Sequence, residues 1–206
     1  MLRMRARLVL AGIAVAVALS GCAPTGAAPS PSATDEPSAS PSPSATPTSE
    51  PLTIVDCETM LPIEDARALF SDATEFLGER PPTESGGWFP LDEIDSTLAA
   101  SPQAKACSWG VPNSDGVFTI HAVEVTEDQR AGLEAALTAA GFTSETSGTV
   151  TTFEMSGENE VSTIAATHLF TGDLWIMANA NELSTTGPAA TSALDALRAA
   201  NPTLGL

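Results

Sequence analysis

Hydrophobic and polar positions change their spacing along the chain, and each spacing predicts a different kind of element. From residue 104 onward, short runs rich in apolar residues alternate with Gly, Asn, Asp and Ser, which is typical of β-strands joined by tight turns. These runs predict six strands: Ala104–Val111, Val117–Val125, Phe142–Thr146, Thr149–Met155, Val161–Phe170 and Leu174–Ala180.

Helix signals flank and interrupt the predicted strands. Thr126 and Gln129 have the spacing of a capping box, apolar residues follow at helical spacing, and Gly141 stands where such a helix ends. Apart from a helix predicted over Leu91–Ala100, residues 71–103 look mostly irregular. Three more helices are predicted, over Ile63–Phe70, Leu91–Ala100 and Pro188–Ala200.

The order of these elements predicts the fold class. Short strands joined by tight turns pair in the antiparallel direction, and the helices then cover a face of the sheet. We therefore expect a single α+β domain of the approximate order α-β2-α-β4-α, with a mainly antiparallel sheet and the helices packed on one face. The pattern does not predict the order of the strands within the sheet.

The N-terminal residues follow a different pattern. Three arginines precede an uncharged apolar run from Leu8 to Leu19, as in the n-region and h-region of an export signal. An uncleaved membrane anchor is the alternative, but a bilayer core of ~30 Å needs about 20 apolar residues, and this run has 12. Residues 1–21 are therefore predicted to be a signal peptide.

The residues that end this signal suggest how the protein is anchored. Leu19-Ser20-Gly21-Cys22 resembles the lipobox of bacterial lipoproteins. The resemblance implies that Cys22 carries a diacylglycerol thioether, becomes the mature N-terminus and holds the protein at the extracytoplasmic face of the cell membrane. An ordinary cleaved secretory signal is the other reading of this segment.

A tether separates the signal from the domain. Residues 23–52 contain eight of the sixteen prolines and no aromatic residue. A segment of this composition buries too little apolar surface to offset its ordering entropy, so we expect it to be disordered. The predicted organisation is a signal over 1–21, a lipidated Cys and tether over 22–52, and one extracytoplasmic domain over 53–206.

Charge restricts the partners that the mature protein can have. The full chain has a net charge of −18, and loss of residues 1–21 leaves 5 basic against 26 acidic residues, a net charge of −21. Nucleic acids attract basic surfaces, so nucleic-acid binding is not expected. The acidity keeps an exported domain soluble, or it serves a cationic partner or a divalent ion.

Two cysteines remain once Cys22 is assigned to the lipid. An even remainder in an oxidising compartment favours a disulfide between Cys57 and Cys107. The chain has no Cys-x-x-Cys motif. A redox pair and a metal site stay open as alternatives at this point.

Two short motifs suggest a family. Cys57 stands shortly before Leu61-Pro62-x-Glu64-Asp65-Ala66, and Cys107-Ser108-Trp109 enters a predicted strand. With the lipobox and tether, this order resembles the uncharacterised small lipoproteins of actinobacteria, and more distantly it is similar to extracellular sensor domains of actinobacterial Ser/Thr kinases. The lipoprotein resemblance implies an intrachain Cys57–Cys107 disulfide and a location in the cell envelope. It implies no activity and no catalytic residue.

The best candidate for a binding site is an aromatic pair in a Gly/Pro-rich loop. Trp88 and Phe89 are followed by the carboxylates of Asp92, Glu93 and Asp95. The pair could grip a protein partner or stack on a sugar ring. The alternative is that both rings fold back as a lid on the core.

The sequence contains no recognisable catalytic motif. His121 and His168 share strand faces with apolar residues, which is typical of core histidines, and their spacing with Glu124 does not indicate a zinc site. The chain has neither a Gly-x-Ser-x-Gly motif nor a Gly-rich phosphate loop, so we predict no catalytic residue, no metal and no cofactor.

These observations favour a binding or adaptor module that meets an envelope protein. Two other functions stay open. One is a carrier or sensor of a small apolar ligand, and the other is a cell-wall enzyme that uses His121 or His168.

Overall fold

A computed structural model describes residues 50–85, 88–159 and 161–206. The strands in these residues are β1 (Glu75–Arg80), β2 (Ala104–Gly110), β3 (Val117–Glu124), β4 (Thr143–Ser147), β5 (Val150–Glu158), β6 (Thr163–Thr171) and β7 (Leu174–Ala180). The helices are α1 (Cys57–Met60), α2 (Ile63–Leu69), α3 (Asp92–Ala100), α4 (Glu127–Ala140) and α5 (Leu183–Ala200), and a short 3-10 helix spans Pro82–Ser85.

The predicted fold class is confirmed. The described strands form one sheet in the order β1-β2-β3-β7-β6-β5-β4, and every neighbouring pair is antiparallel. Helices pack against this sheet, so the domain is α+β.

Helices cover both faces of the sheet, and the predicted packing on one face is therefore wrong. Leu174, Ile176 and Ala178 of β7 belong to a core that includes residues of α1, α2 and α5, which we call the first face. Trp175 and Met177 of the same strand belong to a second core with residues of α3 and α4, the second face. The signal was in the sequence, because a strand buried on both sides is a nearly continuous apolar run.

Strand β1 lies in a stretch that was predicted to be irregular. It forms one edge of the sheet, and a bulge shifts its register between Phe76 and Gly78. Gly78 has φ +113°, a backbone region that favours glycine. Leu77 lies at the bulge and is 37% exposed. Because it follows another apolar residue, Phe76, the sequence lacks the apolar/polar alternation by which a strand is recognised.

Local capping explains why α4 matches its prediction closely. The Thr126 side chain accepts a hydrogen bond from the backbone N–H of Gln129, and the Gln129 side chain accepts one from the backbone N–H of Thr126. At the other end Gly141 is left-handed with φ 94°. Both ends are therefore defined by residues within a turn of the helix.

Helix α5 begins five residues before Pro188, so its predicted start is wrong. Gly187 has no Cβ to oppose the ring of the following proline, which relieves the usual restriction on that position. Thr186 and Thr167 of β6 share a hydrogen bond of 2.8 Å between their hydroxyl oxygens. The Thr185 hydroxyl donates to the carbonyl of Leu69 at 3.4 Å, so contacts with other elements hold the first turn.

The chain enters the fold slightly before the predicted domain boundary. Leu52, which composition places in the tether, is 5% exposed and belongs to the core of the first face. The Asn201 side chain accepts from the backbone N–H of Thr53 at 2.7 Å and donates to its carbonyl at 2.8 Å. This pair of hydrogen bonds ties the start of the domain to the end of α5.

Candidate functional site

The disulfide between Cys57 and Cys107 is confirmed. It joins the beginning of α1 to β2, and both cysteines are buried in the core of the first face, at 4% and 0% exposure. The two residues are 50 positions apart in sequence, so the bond closes a long loop that contains α2, β1 and α3. Cys22, the predicted lipid site, lies outside the described residues.

The two aromatic residues of the candidate loop have different environments. The Phe89 ring meets the Phe142 ring edge to face, with 5.5 Å between centroids, and it packs against the core of the second face. A methyl group added at Gly157 of β5 would lie 3.5 Å from the Phe89 ring. Both residues are half-buried. Phe89 lies over this core as a lid, and Trp88 keeps part of its surface in solvent.

The carboxylates after this pair lie on the outer side of α3. Asp92, Glu93 and Asp95 are all exposed in the first turn of the helix, where negative charge stabilises the helix dipole. Ile94 and Leu98 of the same helix are buried at 1% and 4% exposure. The outer side of α3 is therefore acidic and follows Trp88 closely in sequence, and its inner side covers the core of the second face.

The two histidines are brought close to one another in the core of the sheet. His121 of β3 and His168 of β6 both lie opposite Met177 of β7, on its two sides. They point to the second face, where their exposed fractions are 0% and 1%. Both rings are thus removed from solvent in this structure, and the arrangement gives no support to a catalytic role for them.

His168 sits in an aromatic stack. The Trp175 indole N–H donates to Nδ1 of His168 at 3.2 Å, which places the proton of the neutral imidazole on Nε2. The ring stacks on Trp175 at 5.9 Å and meets Phe142 edge to face at 5.2 Å. Burial, and to a smaller extent repulsion from His121, lowers the pKa of His168 from 6.5 to about 3.

His121 is also neutral at ordinary pH. Burial lowers the pKa of His121 to about 4, and hydrogen bonds with the backbone of Met177 and Pro82 oppose this shift. The contact with Pro82 shows that the 3-10 helix lies over this part of the second face.

A row of buried polar residues, which the sequence analysis missed, runs beside the histidines. Ser108, Thr119 and Asn179 lie opposite one another on β2, β3 and β7, and the Asn179 amide donates to the Thr119 hydroxyl at 3.4 Å. Ser108 Oγ and Asn179 Oδ1 have no hydrogen-bond partner among the described residues. The available signal was the set of polar side chains at inward-facing strand positions.

The described residues contain neither a metal cluster nor a membrane-spanning helix. Across 50–85, 88–159 and 161–206, no group of three or more His, Cys, Asp and Glu is placed to hold a metal ion. Within those ranges, too, every helix is too short or too polar to span a bilayer.

The surface carries several open clefts. One of about 440 Å³ lies beside Thr143, Glu154 and Leu183, and one of about 310 Å³ lies beside Thr53 and Asn201. Another of about 280 Å³ lies between α3 and α4. These clefts are open to solvent, so they suit contact with another molecule's surface better than enclosure of an apolar ligand.

Comparison of the chain with models of known protein families, with curated proteins and with solved structures finds no match.

Proposed function

We propose that this protein is a membrane-anchored extracytoplasmic lipoprotein that acts as a binding or adaptor module in the cell envelope. The export signal and Cys22 support the location, and so does the disulfide, because disulfides persist in oxidising compartments. The proline-rich tether gives the domain reach away from the membrane.

The observation that carries the binding role is the way the Trp88–Phe89 pair is held. Phe89 is fixed by its contacts with Phe142 and the core, so the neighbouring half-exposed indole of Trp88 is presented from a firm base. A side chain held in this way loses less conformational entropy on binding, and Trp is enriched among residues that dominate interfaces. We assign partner contact to Trp88 and the anchoring of the segment to Phe89.

Two variants separate these roles. Trp88→Ala should leave the midpoint of thermal unfolding nearly unchanged and abolish partner capture. Phe89→Ala should lower the midpoint, because it removes a ring from the second core. If Trp88→Ala retains every interaction of the parent protein, the assignment of Trp88 is wrong.

In-cell crosslinking identifies the partner. A photoreactive phenylalanine analogue at position 88 of the full chain keeps an aromatic ring there and should give a discrete crosslinked species. The matched control places the same amino acid at Thr146, an exposed position of β4 at the edge of the sheet. Identical crosslinked species from both positions would contradict a specific surface at Trp88.

The anchor has an independent test. Cys22→Ser should move the protein from the membrane fraction to the soluble exported fraction, and Cys57→Ser with Cys107→Ser should not. If the Cys22→Ser protein stays in the membrane fraction with residues 1–21 removed, the lipid anchor is not what holds it there.

A further inference from the structure

An acidic cleft separates α3 from α4 on the second face. Its volume is about 280 Å³, which is ample for one long side chain. We call it the α3–α4 cleft. It is lined by Glu93, Ser96, Thr97, Asp128, Gln129, Gly132 and Leu133.

Two carboxylates, Glu93 and Asp128, line the cleft, and three more lie in the same two helix turns. Asp92, Glu93 and Asp95 occupy the first turn of α3, and Glu127 and Asp128 occupy the first turn of α4. All five are exposed, and the ion pairs of the described residues include none of them. The helix dipole accounts for acids at each helix start, but it does not account for an open cleft between the two starts.

Thr97 is the first sign that the cleft receives a polar group. The residue is only 5% exposed, yet it lines the cleft. Its hydroxyl takes part in none of the hydrogen bonds found among the described residues. The hydroxyl oxygen is not one of the fully buried unpaired atoms, so it stays open to a molecule that occupies the cleft.

Gly132 is the second sign. It lies inside α4, where glycine is less stable than alanine. A Cβ added there would meet no atom of the described residues within 4 Å, apart from the backbone of its own helix. Packing within the domain therefore does not require glycine at this position. Because Gly132 has no side chain, the cleft is wider at this point, next to the side chain of Leu133.

We propose that the α3–α4 cleft binds a lysine or arginine side chain of an extracytoplasmic protein partner. The aliphatic stem lies along Gly132 and Leu133, and the charged end lies between Glu93 and Asp128 with the Thr97 hydroxyl as a further acceptor. Long basic side chains combine an apolar stem with a charged end in this way. The inference rests on the proposed binding role of the domain, but it does not depend on Trp88.

Charge complementarity is tested with a matched pair of variants. The probe is a fluorescent hexalysine peptide, titrated at low salt against the exported full chain that carries Cys22→Ser, with affinity read from anisotropy. Glu93→Gln with Asp128→Asn should weaken binding about 10-fold or more. Glu58→Gln with Asp65→Asn makes the same charge change in the first turns of α1 and α2 and should change it less than about 2-fold. Equal weakening in both pairs would mean that only net charge attracts the peptide, and it would overturn the proposal.

Occlusion of the cleft provides a test that charge alone does not explain. Gly132→Leu should weaken hexalysine binding about 10-fold or more, and it should raise the midpoint of thermal unfolding by about 2–4 °C because leucine is the better helix former. Thr97→Val should weaken binding with little change in the midpoint. Unchanged binding by a folded Gly132→Leu protein would place the peptide elsewhere and overturn the proposal.

The two proposals fail in different ways. If the α3–α4 cleft does not bind a basic side chain, the Gly132→Leu protein still gives the crosslinked species from position 88 and still binds hexalysine. If the binding role itself is wrong, position 88 gives no discrete species in cells, whatever the peptide does. If the Gly132→Leu protein loses the crosslinked species formed from position 88, the cleft and Trp88 contact the same partner, which supports both proposals.

Discussion

The two buried histidines should make the domain lose stability in mild acid. Each pKa is lowered by burial, to about 4 for His121 and about 3 for His168, whereas both are near 6.5 in an unfolded chain. The unfolded chain therefore binds more protons than the folded domain as the pH falls below about 6.5. The stability is fully present above that pH and decreases as the pH falls through this window.

The size of the effect follows from the same two values. Between about pH 7.5 and about pH 5, each histidine should cost about 2 kcal/mol of unfolding free energy, so the pair should cost about 4 kcal/mol. A domain stability of about 5–15 kcal/mol is usual, so the loss is a large part of the total. Ordinary carboxylates titrate mainly below this range, and they add little to the change.

Urea denaturation of the wild-type chain and three variants tests this reasoning. The variants are His121→Gln, His168→Gln and the double substitution, each measured at both pH values, and the readout is the change in unfolding free energy between them. Glutamine does not titrate, and at position 168 its side-chain oxygen can accept from the Trp175 indole. Each single variant should halve the change, and the double variant should nearly remove it. A wild-type change no larger than that of the double variant would refute the assignment.

Four further changes should alter stability in predictable ways. Reduction of the disulfide should lower the unfolding free energy by about 4 kcal/mol, and unchanged urea midpoints after complete reduction would contradict this. Gly110→Ala should destabilise the domain by about 3 kcal/mol or more in thermal unfolding, because its Cβ would meet the Gly116 carbonyl oxygen at only 2.2 Å. Gly132→Ala, whose Cβ would meet open space, should stabilise the domain by up to about 1 kcal/mol in the same assay. Thr126→Ala should cost about 1 kcal/mol through loss of the capping box, and an unshifted melting curve would contradict it.

The candidate site was only partly predictable. The sequence identified Trp88 and Phe89 as a pair, and it left open whether they face a partner or the core. Phe89 takes the core position because Phe142 and Gly157, from distant parts of the chain, leave room for its ring there. The α3–α4 cleft had no sequence signal beyond acidic helix starts, since Glu93 and Asp128 belong to separate elements that meet only in the folded domain.

Features set by neighbouring residues were determined by the sequence alone. The ends of α4 follow from Thr126, Gln129 and Gly141, whose hydrogen bonds and left-handed backbone act within one turn. The buried positions of His121 and His168 follow from their alternation with apolar residues along a strand. The interactions behind these predictions span only a few residues, so the local sequence contains all of them.

Other features were decided only by the tertiary structure. β1 is a strand because β2 pairs with it, although two adjacent apolar residues, Phe76 and Leu77, break its alternation. The first turn of α5 forms because Thr186 and Thr185 bind partners on β6 and α2. The strand order and the choice of which helices cover which face have the same origin. They depend on contacts between segments far apart in the chain, and no local pattern records which distant segment will supply the partner.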